Sequence, residues 1–220
     1  MQSAMTDIFR GPRLAFLAAK LLAFAYLGYL LFYLAVEYTA AAQKTSPPFV
    51  LFAMDAINLF IHEAGHLFFR IFGQWAHILG GSLTQCLLPA ALLVVTWRQN
   101  IHQAPWPAFW LGESMVNVSV YIRDAPVRQL KLIASGLIHD WWWLLQDNLE
   151  LAEPLADGVL VLGLLVCAGA VGGGVWLAFR RHRDDTADDT MPLPALQRRR
   201  ASRTAADSGG MPGWEDSSSA

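Results

Sequence analysis

The sequence predicts an all-α fold, a polytopic transmembrane helix bundle of about five to six membrane segments that ends in a disordered C-terminal tail. Three observations lead there. Of the 220 residues, 55% are hydrophobic and only 15% are charged, too apolar a balance for a soluble domain of this length. The apolar residues fall in long runs, and about 20 in succession are what the hydrocarbon core of a bilayer requires of a helix. From 181 onwards the composition turns to Asp, Ser, Thr, Arg, Gly and Pro, too poor in apolar side chains to form a core. The chain therefore divides into a basic N-terminal segment (1–13), a transmembrane helical domain (14–180) and a polar tail (181–220).

The first span is expected from Leu14 to Val36, broken only by Lys20. A cleaved signal peptide is the competing reading, with Ala40-Ala41-Ala42 as small residues for cleavage, but the run exceeds the roughly 7–15 residues of a secretory h-region. A polar loop from Glu37 to Pro48 leads to a second span, Phe49 to Phe72, which carries Asp55, Asn58, His62, Glu63, His66 and Arg70. The third, Trp75 to Trp97, has tryptophans at both ends, as suits two membrane interfaces, and contains Gly80, Gly81, Gln85 and Pro89. The fourth, Trp106 to Ile122, is short and contains Glu113 and Asn117; it either crosses or dips. Residues 123–154, with the tryptophans Trp141 to Trp143, read as interfacial or re-entrant. The last span, Leu155 to Phe179, is rich in small residues that let helices approach closely in lipid.

Basic residues flank both ends, at Arg10 and Arg13 and at Arg180, Arg181 and Arg183. If both ends are cytoplasmic, the number of crossings is even, whereas these segments are five. Either Leu130 to Leu145 makes an extra short crossing or hairpin, or segment 106–122 is re-entrant. A net charge of −2 gives no reason to expect nucleic acid as a partner; the bilayer is the partner that composition implies. Cys86 and Cys167 lie inside apolar runs, where cysteine behaves as a small hydrophobe, and two such residues make no disulfide framework.

The chemistry-bearing motif is His62-Glu63-Ala64-Gly65-His66, an HExxH sequence. On a helix its histidines lie one turn apart on one face, so both rings can bind one Zn²⁺. Glu63 stands beside that face, where a carboxylate can take a proton from an attacking water and pass it to a leaving amine. At this chain's His and Glu frequencies a chance match is on the order of half a per cent, and ionisable residues inside a membrane are costly unless functional. A polar helix face buried without metal is the alternative.

Asp55, Asn58, His62 and His66 form a polar stripe. Asn58 is a candidate acceptor for the second ring N–H of a ligating histidine. Asp55 is about 10 Å along the axis from His62, too far to touch it directly. A catalytic zinc needs a third protein ligand. Asp124 is the first candidate, its bland alternative being an ion pair with Arg123 or Arg128. Asp140, beside His139, is the second, its alternative being a helix N-cap. His139 is a further candidate for support around the ligands. All these residues fall within 49–145, the core metal-site region of the chain.

These residues resemble the site-2 protease family of intramembrane zinc metalloproteases, in which HExxH lies in a membrane helix and an aspartate from an Asn-x-x-Pro...Asp-Gly element is the third ligand. Asn117 and Asp124 occupy a comparable position, although Asp124 is followed by Ala125 and the proline is missing. The chain is also similar to small bacterial membrane proteins related to that family, with HEAGH, a Tyr-x-x-Asp-Ala element (Tyr121 to Ala125) and a His-Asp-Trp element (His139 to Trp141). The resemblance implies a bacterial inner-membrane zinc metallopeptidase acting on a membrane-protein substrate. A metal-binding transporter or sensor without hydrolysis, and a metal-free membrane scaffold, are the other readings.

Overall fold

The computed structural model describes residues 2–38, 47–130, 138–191, 195, 197–198 and 201–202, and among these the long apolar runs punctuated by Gly and Pro form six α-helices up to residue 190. Helix α1 (Gln2–Tyr33) ends in a π-helical turn, Leu34–Tyr38. Helix α2 (Phe49–Phe69) follows Pro47-Pro48 and closes in a 3-10 turn, Arg70–Phe72. Gly73, with φ +96°, a backbone conformation that side-chain-bearing residues avoid, turns the chain into α3 (Gln74–Gln99). Helix α4 (Pro105–Asp124) begins with prolines in its first turn, where a missing N–H costs nothing. A five-residue helix, α5 (Asp140–Leu144), precedes α6 (Ala152–Thr190). No strand occurs among the described residues.

Among the described residues, three segments are long and apolar enough to cross a membrane: Gly11–Glu37, Gln74–Gln99 and Leu149–Asp188. The expected five to six are thus not all met by this measure. Helix α2 has 21 residues and α4 has 20, but polar side chains dilute their hydropathy. The alanines at 40–42 and residues 131–137 of the proposed extra crossing lie outside the described residues. The tail expected to be disordered from 181 does not begin there, because α6 continues to Thr190. Arg180 and Arg181 stand four residues before Asp184 and Asp185, a spacing that supports helix. Most of the remaining tail lies outside the described residues.

Contacts divide the chain into two units, Met1–Ala15 with Phe179–Ala220, and Phe16–Ala178. In the first, the Arg13 guanidinium donates to the Asp185 carbonyl at 3.0 Å. The second holds the core, where Phe24, Leu27, Leu30 and Leu34 of the first span pack with Leu51, Phe109, Val116, Cys167 and Ala170.

Within this unit α2 and α3 approach until backbone meets backbone. A Cβ on Gly80 would fall 2.6 Å from the Phe69 Cβ and 2.9 Å from the Gly65 carbonyl oxygen, and one on Gly65 would overlap the Gly80 carbonyl oxygen. Helices α4 and α6 meet in the same way at Gly112 and Gly163, where an added Cβ on Gly163 would lie 2.7 Å from the Gly112 carbonyl oxygen. Such contacts replace the hydrophobic driving force that helices lack in lipid. Gly65→Ala is expected to lower stability by about 1–3 kcal/mol, since the overlap falls on backbone. Gly172→Ala, with nothing within 4 Å of the added carbon, is expected to leave stability unchanged or slightly raised. Thermal unfolding of both variants in detergent checks the contrast.

Candidate metal centre

The glycine contact between α2 and α3 brings the HExxH histidines against the second helix. His62 is buried and His66 half-buried. Gly81 follows the contact glycine, and a Cβ there would lie 2.6 Å from His62 Nε2 and 2.7 Å from His66 Nε2. The missing side chain leaves open the space toward which both ring nitrogens point. From the other side α5 delivers Asp140, whose Oδ2 is 2.9 Å from His62 Nε2 and 3.2 Å from His66 Nε2. Ligand atoms of His62, His66 and Asp140 all lie within 4.8 Å of one another.

Hydrogen bonds constrain which ring nitrogens hold protons. His66 Nδ1 lies 2.7 Å from the His77 carbonyl oxygen, which can only accept, so this nitrogen donates. His77 Nδ1 reciprocates to the His66 carbonyl at 2.8 Å. His62 stands between two acceptors, Gln85 Oε1 at 3.3 Å from Nδ1 and Asp140 Oδ2 at 2.9 Å from Nε2. A cation beside Asp140 would take the Nε2 lone pairs of both rings and leave each Nδ1–H to the oxygen it already faces, with the Asp140 carboxylate as a third acceptor. Three acceptors converging on one point repel unless a cation or added protons stand between them. Two imidazoles and a carboxylate are the donor set of a catalytic zinc, and this set fits Zn²⁺.

The aspartate that the fold brings to the two histidines is Asp140, the second of the two that the sequence offered, and not Asp124. The Asp124 carboxylate closes the turn after α4, accepting from the backbone N–H groups of Gln129 (2.9 Å) and Leu130 (3.0 Å). It also meets His139 Nε2 at 3.2 Å. The ion pairs considered for it do not form: Arg123 bonds Asp157, and Arg128 lies over the Trp142 ring. His139, not Asp140, caps α5, its Nδ1 accepting the Trp142 N–H at 3.2 Å. His139 thus supports Asp140 through the backbone and does not contact the ligands through its ring. Asp140 N–H donates to the Tyr121 hydroxyl at 3.2 Å, a second hold on the residue.

Asn58 does not reach His62. Its amide donates to Glu113 Oε2 at 2.8 Å, and its oxygen accepts from Trp110 Nε1 at 2.8 Å. Gln85 takes the place foreseen for Asn58. Gln85 and Gly81 are four residues apart and share a face of α3, which is the signal that was present in the sequence. Nothing in the sequence marks the carbonyl of His77.

Helix α5 is far too short to cross a bilayer. There, burial pulls the Asp140 carboxyl pKa up, but its contacts with His62 and His66 outweigh this and hold it below the ordinary carboxylate value, so it stands as an anion. Burial pushes the His139 ring down despite the nearby Asp124 carboxylate. Glu63 is exposed and makes no hydrogen bond or ion pair with a described residue, so its carboxylate is available to a substrate or water at the edge of the site.

Gly81→Ala is expected to remove zinc binding from a folded chain, because the new carbon occupies the space between the two Nε2 atoms. Asp140→Ala is expected to do the same, while Asp124→Ala keeps close to one zinc per chain. Elemental analysis of the detergent-purified variants, with circular dichroism as the folding check, separates these outcomes. No family model, curated protein or solved structure matches this chain.

Proposed function

We propose that this chain is a multi-pass zinc metallopeptidase of the bacterial inner membrane, similar to site-2 proteases, which hydrolyses peptide bonds of membrane-protein substrates in or beside the bilayer. The observation that carries the reading is the convergence of His62 Nε2, His66 Nε2 and the Asp140 carboxylate beside Gly81, with each Nδ1 facing an oxygen elsewhere, that of Gln85 or of the His77 backbone. Counting α2 and α4 gives five membrane segments. Their polar side chains bond one another across the bundle, as Asn58 to Glu113 and Asp55 to Asn117 do. That arrangement lets polar helices stand in lipid.

His62, His66 and Asp140 would hold the zinc, which when bound supplies Lewis-acid polarisation of a carbonyl and activation of water. Glu63 takes a proton from the attacking water as its oxygen bonds to the peptide carbon. The same carboxyl then returns the proton to the departing amine nitrogen as the C–N bond breaks, leaving a carboxylic acid and an amine. A helical substrate has its carbonyls in hydrogen bonds, so it must unwind locally before a carbonyl reaches the site.

Glu63→Gln keeps shape and loses the proton acceptor. It is expected to retain zinc and to lower cleavage at least about 100-fold, within the usual span for a general base. Cleavage of co-expressed single-span membrane proteins, followed by mass spectrometry of their fragments, reads the effect. Persistence of cleavage in this variant would remove Glu63 from the mechanism. Zinc without cleavage in the wild type across the panel would favour a metal-binding transporter or sensor.

A further inference from the structure

Glu113, on α4, is completely enclosed, at 0% exposure. Its Oε2 accepts from Asn58 Nδ2 at 2.8 Å, while Oε1 is buried and no N–H or O–H group donates to it. A carboxylate with one oxygen unsatisfied in an apolar interior is costly, and no ion pair with a described residue offsets its charge. The Asp55 carboxyl of α2 stands against it within hydrogen-bonding reach. Two ionised carboxylates only accept, so their contact is a hydrogen bond only when one of them carries a proton. Two negative charges side by side and away from water do not both persist.

The other groups that face Glu113 are neutral. On α2 there is Asn58, whose oxygen accepts from Trp110 Nε1 and Ser114 Oγ of α4. Asn117 of α4 donates to Asp55 Oδ1 at 3.0 Å. Helices α3 and α6 bring the thiols of Cys86 and Cys167 near Glu113. Helix α1 brings Leu27, Leu30 and Leu34 to the same core, with the Tyr33 phenol beside them.

We propose that Asp55 and Glu113 share one proton, which makes the interface of α2 and α4 a proton-binding site inside the bundle. The pair then carries a single negative charge, and the proton supplies the donor that two carboxylates lack. Asp55 lies on the helix that carries His62 and His66, so the proton ties the seating of that helix to pH. The inference does not rest on the zinc reading. Its sign follows from counting protons. Unfolding separates the two carboxyls, and in water each has an ordinary pKa of about 4, so at neutral pH unfolding releases the shared proton. The stability that the pair contributes is full below the ordinary carboxylate range and is lost as pH rises above it, until the folded pair itself ionises. Across that window one released proton raises the unfolding constant about tenfold per pH unit.

Infrared spectra of the full chain, purified in detergent at neutral pH in water and in heavy water, test this. The wild type is expected to show a carboxylic-acid C=O band that deuterium shifts. Glu113→Gln supplies an amide N–H in place of the proton, and is expected to fold and to lose the band. Asp55→Asn supplies the N–H from the other side and is expected to lose it too. Unfolding measured against pH is expected to keep its rise in the wild type and to be flatter in both variants. Glu113→Met offers no donor, and is expected to unfold at least about 10-fold more readily than Glu113→Gln. Circular dichroism checks folding, and if one amide variant does not fold the other carries the comparison.

A folded wild type without the acid band, or a band that survives in Glu113→Gln, would overturn the proposal. Stability that rises with sodium in a wild type without the band would put a metal cation in the proton's place. A band lost in Glu113→Gln but kept in Asp55→Asn would give the proton to Glu113 alone and overturn the sharing.

Discussion

The contact of α2 with α3 at Gly65 and Gly80 is the constraint on which the rest of the site depends. Two backbones approach there without side chains between them, and everything nearby follows from that closeness. Gly81 lies against both histidine rings, the His77 carbonyl comes within 2.7 Å of His66 Nδ1, and Gln85 comes within reach of His62. A larger residue at any of these glycines would separate the helices and undo several of these contacts together. Close helix packing through small residues is the ordinary means of association in lipid; here the same contact shapes the space beside the motif.

Around this contact polar side chains of α2, α3 and α4 bond one another, with Glu113 Oε1 left buried and without a hydrogen bond. Asn58 bonds Glu113 and Trp110, Asn117 bonds Asp55 and Gln85, and Gln85 bonds His62. Any of these groups left alone in an apolar interior would carry the desolvation cost of an unpaired polar atom, about 1–3 kcal/mol for a neutral group. Joined, they hold three helices in one register, because a shift of any helix along its axis breaks bonds to the other two. The network and the glycine contact therefore act on the same geometry, one by distance and the other by register.

The sequence made the helical, membrane-type character legible through the length of its apolar runs, and it made His62, Glu63 and His66 legible through their spacing. Both are local properties, periodic along a single helix. The carboxylate that stands with the histidines is not local. The sequence put Asp124 first and Asp140 second, and what separates them is that the loop after α4 engages the Asp124 carboxylate in two backbone bonds. His139 occupies the N-cap position that a sequence reading gives to the aspartate, and this leaves Asp140 free to face the histidines. Likewise, Asn58 is one turn from His62 on the same helix, yet the acceptor that His62 meets comes from the neighbouring helix. Sequence proximity favours same-helix partners, whereas a ring packed between helices takes its partner from across the interface. The shortfall in recognisable spans has the same origin. Polar residues lower the hydropathy of α2 and α4 when counted along the chain, although in the folded bundle many of them face one another and not the surroundings.

Glu63 differs from this pattern. It is adjacent in sequence to a buried histidine, yet its side chain is exposed, and the nearby Phe60 and Leu67 are 78% and 72% exposed. A carboxylate on an otherwise apolar helix surface would be costly in contact with hydrocarbon alone. The proposed chemistry gives that position a reason. A general base must reach water and the scissile carbonyl from outside the ring of ligands, so it cannot be enclosed in the network that orients those ligands. Burial of His62, Asp140 and Gln85 holds that group of side chains in place, while exposure of Glu63 leaves one side open. The division between a rigid polar interior and an open carboxylate edge is what hydrolysis of a peptide bond at this site would require.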